Sequence, residues 1–172
     1  MKGRRAVIGI MGAAEPGAQS LADARRLGRL VAERGWIVLT GGRPEGVMGA
    51  ASAGAKEVTG SLTLGILPSA AGGVASDVDL AVFTGMGYAR NAINVLSSDV
   101  VIACGIEGPG TASEVALGLK AGKPVVLLRA APEATAFFRG VAGSGRLLEA
   151  GSPEDAVRIA AELLATSETE QR

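Results

Sequence analysis

The chain has 172 residues, with 17 basic and 17 acidic side chains, 26 glycines, one cysteine and no histidine. Without imidazole there is no Ser-His-Asp or Cys-His nucleophile and no His-ligated metal, and a lone Cys104 forms neither an internal disulfide nor a thiolate cluster, which points to the cytoplasm. Zero net charge and five aromatic residues, Trp36, Phe83, Tyr88, Phe137 and Phe138, argue against nucleic-acid binding, and no apolar run approaches the roughly 18 residues of a membrane span.

Met1 to Arg5 followed by apolar Ala6 to Ala14 has the outline of a signal peptide, but the apolar part is short and interrupted by Gly9 and Gly12. Ala6 to Met11 instead predicts a buried strand. Ser20 to Arg34 places Leu21, Ala24, Leu27, Leu30 and Val31 at helical spacing, with Ser20 and Asp23 as candidate caps and Gly35 as the stop. Trp36 to Thr40 reads as the second strand, Gly46 to Lys56 as an alanine-rich helix and Leu62 to Leu67 as the third strand. Asp77 to Phe83 alternates like a half-buried strand and leads to a short helix from Gly87 to Leu96.

Asp99 to Cys104 predicts another buried strand, Thr111 to Ala121 a helix closed by Gly122, and Pro124 to Leu128 a strand. A short helix around Ala134 to Phe138 and the glycine-rich stretch Gly140 to Gly145 precede Arg146 to Leu148. Ser152-Pro153-Glu154-Asp155 opens the last helix, with serine capping, proline in the first turn and two acids at the positive helix end. Residues 1–165 are expected to form one domain that buries about 70% of its unfolded surface; residues 166–172 read as a frayed polar tail.

Strands alternating with helices predict an α/β fold: a single Rossmann-like, doubly wound, mostly parallel sheet with helices on both faces. Ligands in such sheets bind beyond the carboxyl ends of the strands. Four glycine-bearing loops fall there, Gly12 to Gly17, Gly41 to Gly46, Gly85 to Gly87 and Gly105 to Gly110. The second and fourth have G-x-x-x-x-G spacing, yet Val47 and Thr111 stand where a P-loop needs lysine, and the dinucleotide fingerprint G-x-G-x-x-G is absent.

Glycine lets backbone amides approach a ligand, and each loop leads into a helix start that favours an anion. One helix end supplies only about 0.3–1 kcal/mol against the roughly 8 kcal/mol of micromolar binding, so several loops and a guanidinium must act together. Arg43 and Arg90 are the arginines so placed. The same glycines also suit tight turns and close helix packing, Thr111-x-x-Glu114 has capping-box spacing, and Met48, Met86 and Cys104 suit a core.

The segments Gly35 to Arg43 with Gly46-Val47-Met48, Thr84 to Gly87 with Ala89-Arg90-Asn91 and Ile93-Asn94, and Gly108 to Leu117 with Lys123 to Leu128 closely resemble the molybdenum cofactor carrier proteins, within the Lonely Guy-like superfamily often labelled lysine-decarboxylase-like. The resemblance covers roughly residues 5 to 165. It implies a carrier that binds, stores and protects the molybdenum cofactor (molybdopterin), an anionic small molecule, without catalysis and without a protein-bound metal. It also implies a homo-oligomer, dimer or tetramer, with molybdoenzymes as recipients.

The ligand residues it implies are Gly12, Gly41, Gly42, Arg43, Gly46, Met48, Gly85, Arg90, Asn91, Gly108, Gly110, Thr111 and Glu114. The cofactor phosphate is expected at Gly108, Gly110 and Thr111 with Arg90. The superfamily's hydrolases, which cleave nucleoside 5'-monophosphates at the N-glycosidic bond, use an arginine-lysine pair and a P-G-G-x-G-T-x-x-E loop. Arg90 and Glu114 match that pattern and would be the catalytic pair of a phosphoribohydrolase. Asn91 replaces the lysine, and Gly105 to Thr111 lacks the proline-glycine-glycine start.

Overall fold

The structure, a computed structural model, describes residues 4–170, with side chains described as far as residue 166. Seven strands, β1 (Val7–Met11), β2 (Ile37–Thr40), β3 (Leu62–Leu67), β4 (Leu80–Phe83), β5 (Val100–Cys104), β6 (Val125–Leu128) and β7 (Leu147–Ala150), form one sheet in the order β4-β3-β2-β1-β5-β6-β7. Every pairing is parallel, so the expected mostly parallel sheet is wholly so among the described residues. Among the described residues five helices make crossovers, α1 (Ala18–Glu33), α2 (Gly46–Lys56), α3 (Arg90–Leu96, entered through a 3₁₀ turn at Gly87–Ala89), α4 (Pro109–Lys120) and α5 (Pro132–Val141), while β3 leads to β4 without a helix and α6 (Pro153–Glu170) follows β7.

Both faces of the sheet are covered because the central strands are apolar at every position. Ile8, Ile10, Val38 and Val100 pack with Leu27 and Val31 of α1, Val47 of α2 and Ala156 of α6. On the other face Val7, Met11, Leu39 and Val101 meet Val95 of α3, Val115 of α4 and Phe138 of α5. Leu117 and Leu119 join this second core while Ala116 is exposed.

Several expected boundaries move. α1 starts at Ala18 with Gly17 as its N-cap, so neither Ser20 nor Asp23 caps it. Asp23 is buried and pairs with Arg129 at 2.9 Å while accepting from Gln19 Nε2 at 3.0 Å. α4 starts at Pro109 with Gly108 as N-cap, two residues before the expected Thr111, because proline suits the first turn and glycine the extended cap. The strand expected from Asp77 begins at Leu80, since the Asp79 carboxylate is drawn back to Thr63 N (2.8 Å) and Lys56 Nζ (2.7 Å). Its four residues are exposed at the sheet edge. Ser152 does cap α6, accepting from Asp155 N at 3.2 Å. The tail expected from Thr166 starts inside α6, which runs to Glu170; Gln171 and Arg172 lie outside the described residues.

Candidate functional site

From β1 the chain steps outward through β2, β3 and β4, then returns to place β5 on the other side of β1. The switch point therefore lies between the carboxyl ends of β1 and β5, where α1 and α4 begin. The four glycine loops all leave this edge of the sheet, because every strand points the same way.

The start of α4 is open. Gly108 is extended (φ −174°), and a Cβ at Gly108 or Gly110 would meet nothing within 4 Å, so the backbone there is approachable. Thr111 is only 2% exposed, and its hydroxyl finds no hydrogen-bond partner among the described residues. The capping box is not formed: Thr111 lies inside the helix, and Glu114, buried one turn on, accepts from Asn94 Nδ2 at 2.9 Å. Burial pushes the Glu114 carboxyl above its ordinary range, against the Asn94 hydrogen bond and the positive charge of Arg90.

Arg90 opens α3 and lies across Gly41. A Cβ at residue 41 would stand 2.3 Å from Arg90 Nη1 and 2.5 Å from Met48 Sδ, so glycine at the end of β2 is what admits both side chains. Arg90 Nε is buried without a partner among the described residues. Burial lowers the guanidinium pKa, the negative charge of Glu114 raises it and Arg43 lowers it again. Asn94 Oδ1 is the third buried polar side-chain atom without a partner among the described residues. Unpartnered buried polar atoms are uncommon in folded proteins, and here Arg90 and Asn94 both act on the Glu114 carboxyl, with Thr111 three residues before it on α4.

The other expected residues divide by what they touch. Arg43 Nη1 donates to the Gly73 carbonyl at 2.9 Å, which ties the β2 loop to the segment after β3, while its charge is felt by Arg90. Gly42, at φ +75°, donates to Thr40 Oγ1 at 3.1 Å and packs on Leu67. Gly12 presses on Val47, and Gly46 (φ +55°) on the carbonyls of Ala13 and Ala14; these two glycines join the first and second loops to each other. Gly85, at φ +68°, makes the turn after β4. Asn91 Nδ2 donates to Ser113 Oγ at 2.9 Å, and Ser113 donates to the Gly110 carbonyl at 2.6 Å, fastening α3 to the first turn of α4. Beside them a groove of about 590 Å³ is lined by Tyr88, Ala92, Pro109 and Leu117, and Met86 is exposed nearby in sequence.

Cys104 is a core residue. Its thiol donates to the Ser20 carbonyl at 3.4 Å and is pushed up to about 12 by burial, with the charges of Asp23 and Glu107 adding to the effect. Of two further site residues, Asn94 stands in the segments that carry the family resemblance, and Glu107 escapes the loop-by-loop reading. Asn94 holds Glu114, and Glu107 reaches from the β5 loop to the start of α1, accepting from Gly17 N at 2.7 Å and from the Ser20 hydroxyl. Asn94 is marked by that resemblance and by lying one helical turn from Arg90. The Glu107 contact depends on β1 and β5 being neighbours, which no local pattern announces.

Helix starts, glycine-exposed amides and a half-buried arginine at the switch point of a parallel sheet define a Rossmann-like α/β domain whose available chemistry suits an anionic ligand. The chain belongs to the SLOG cluster4 family, whose sequence profile matches residues 5–157. It is 43% identical over 122 residues, 71% of this chain and 79% of the relative, to an uncharacterised protein of Archaeoglobus fulgidus. Among solved structures, the molybdenum cofactor binding protein from the phototrophic bacterium Rippkaea orientalis is 47% identical with a TM-score of 0.89, covering 94% of this chain and 98% of that one. The molybdenum cofactor carrier protein from Chlamydomonas reinhardtii is 46% identical with a TM-score of 0.86, over 94% and 99% of the two chains.

Proposed function

We propose that this protein is a carrier of the molybdenum cofactor, binding and protecting the cofactor without transforming it. The carrying observation is the pair of buried donors without partners among the described residues, Arg90 Nε and Thr111 Oγ1, the latter directly after the approachable backbone of Gly108 and Gly110. A phosphate seated there accepts from both side chains and from the amides of α4's first turn, which satisfies donors that are costly to leave unmade. Gly41, Gly42 and Arg43 form the facing wall, with Gly85 and Asn91 holding the loops that flank Arg90. Gly12 and Gly46 act behind that wall, by fixing the first two loops together. With few aromatic residues available, the pterin rests on Met48, Met86, Tyr88 or aliphatic surface. The 46–47% identity to two proteins of that description, over nearly the whole chain, supports the same reading.

The competing reading is a phosphoribohydrolase using Arg90 and Glu114. Asn91, where those hydrolases carry lysine, is engaged with Ser113, and the Glu114 carboxyl is drawn toward its neutral form by burial. Protein purified from a host that makes the cofactor should carry molybdopterin, and added cofactor should decay more slowly in its presence. A preparation that neither co-purifies with molybdopterin nor slows its decay, yet releases base from purine or cytokinin monophosphates, overturns the proposal in favour of the hydrolase.

The carrier is proposed to work in the cytoplasm, as a homo-oligomer that passes its cargo to molybdoenzymes. Support for self-association comes from the apolar edge formed by Leu80, Val82 and Phe83, all exposed on β4, with Leu96 exposed on α3. Light scattering on the purified protein measures its mass directly; a monomer at working concentrations removes this part of the proposal.

A further inference from the structure

The crevice between β1 and β5 has two helix starts, and only one of them is open. The backbone before α4 is approachable, and the hydroxyl of Thr111, a residue only 2% exposed, is unpartnered among the described residues. The start of α1 is already occupied: the Glu107 carboxylate accepts from the N-cap amide of Gly17 through Oε2 (2.7 Å) and from the Ser20 hydroxyl through Oε1. A carboxylate so placed occupies the position an external anion would take. In doubly wound dinucleotide-binding domains, the helix after the first strand is the one that receives a pyrophosphate.

The local backbone is arranged around this contact. Gly105, at φ +68°, ends β5, and a Cβ there would stand 2.9 Å from both Glu107 Oε1 and Ser20 Oγ. Ser20 is held from its other side by Cys104, whose thiol donates to the Ser20 carbonyl. Glu107 directly precedes Gly108, the N-cap of α4, and its single side chain reaches Gly17, the N-cap of α1. The two helix starts thus lie within one side chain's reach of each other, a separation that the linked phosphates of a diphosphate are able to bridge.

We propose that Glu107 is a specificity-determining residue: its carboxylate fills the α1 end of the crevice and limits the carried ligand to a single terminal phosphate, seated at α4, against ligands that bear a diphosphate. Rejection has two sources, the missing donors at α1 and repulsion between the carboxylate and a second phosphate. The inference rests on the phosphate position given under Proposed function.

The test is a direct titration of the full chain with two ligands, the molybdenum cofactor ending in one phosphate and a form extended through a diphosphate by a nucleotide. Wild type should favour the monophosphate by about tenfold or more. Glu107→Ala should narrow that ratio to about threefold or less, chiefly by tightening the diphosphate form, and Glu107→Gln, which keeps an acceptor but no charge, should fall between. Circular dichroism confirms that each variant is folded, and the Gln variant carries the test if loss of the α1 cap unfolds the Ala variant. A wild type that binds the monophosphate but discriminates no better than the variants overturns this inference alone. A wild type that binds neither form overturns the carrier reading, and this inference with it.

Discussion

The side-chain amide of Asn94 lies 2.9 Å from Glu114 Oε1, wholly inside the protein, so the carboxylate is held by a neighbouring helix rather than by the backbone donors of its own. Burial raises the Glu114 pKa, while the Asn94 hydrogen bond and Arg90 oppose the shift. A carboxyl whose folded pKa exceeds its unfolded value binds its proton more readily when folded. Its contribution to stability therefore falls as pH rises from the ordinary glutamate range through the folded pKa. Glu114→Gln removes that titration. Urea unfolding at a series of values from about pH 4 to about pH 8 should show the wild type losing stability relative to this variant across the window; parallel curves contradict the assignment.

Thr111 separates a ligand contact from a folding contact. Its hydroxyl has no partner among the described residues, so Thr111→Val replaces an unsatisfied group with one of similar shape. Unfolding free energy should stay within about 0.5 kcal/mol of wild type or rise, while affinity for the cofactor weakens by about tenfold. Calorimetric titration beside thermal unfolding reads both, and a large loss of stability with unchanged affinity would reverse the role given to the hydroxyl.

Gly41→Ala probes the seat of Arg90. The atoms nearest the new methyl are Arg90 Nη1 and Met48 Sδ, which belong to flexible side chains rather than to backbone. Both are able to swing away, so folding should tolerate the change. The guanidinium is displaced from the phosphate position, and cofactor affinity should drop by about tenfold. Retention of full affinity would place Arg90 outside the binding contact.

Gly28→Ala should behave in the opposite way. Its methyl would lie 1.9 Å from the Ala51 carbonyl oxygen, and Gly54 on α2 meets Arg25 O of α1 reciprocally at 1.8 Å. The obstacle is backbone, which relieves the clash only if the two helices part. Loss of about 2–3 kcal/mol in chemical unfolding is expected, against at most a small change for Gly140→Ala, where a Cβ meets nothing within 4 Å.

Most of the architecture is readable from local chemistry. β1, β5 and β6 are apolar at every position because both of their faces are covered, and Gly35 and Gly122 stop α1 and α4 with positive φ as helix-ending glycines do. Errors arise where a side chain answers to a distant partner. Ser20 and Asp23 resemble caps, but Glu107 and Arg129, far along the chain, determine what they bond to. Thr111-x-x-Glu114 has the spacing of a capping box, yet Pro109 starts the helix earlier and leaves both residues inside it. The glycines of the second loop look alike in sequence; only the packed structure separates Gly41, which admits Arg90, from Gly46, which fits against Ala13 and Ala14.

The reciprocal contact of Gly28 and Gly54 also bears on the stiffness of the two sides of the crevice. Main-chain atoms meet between α1 and α2, so no change of rotamer slackens that joint. Across the crevice, α3 is a short helix fastened to α4 by the Asn91 and Ser113 side chains and entered through a 3₁₀ turn that begins at positive-φ Gly87, two residues after positive-φ Gly85. Side-chain hydrogen bonds reform on rotation, and such a turn bends with little cost. The joint between α1 and α2 thus rests on main-chain contact, whereas the helix that carries Arg90 is joined to α4 through side chains.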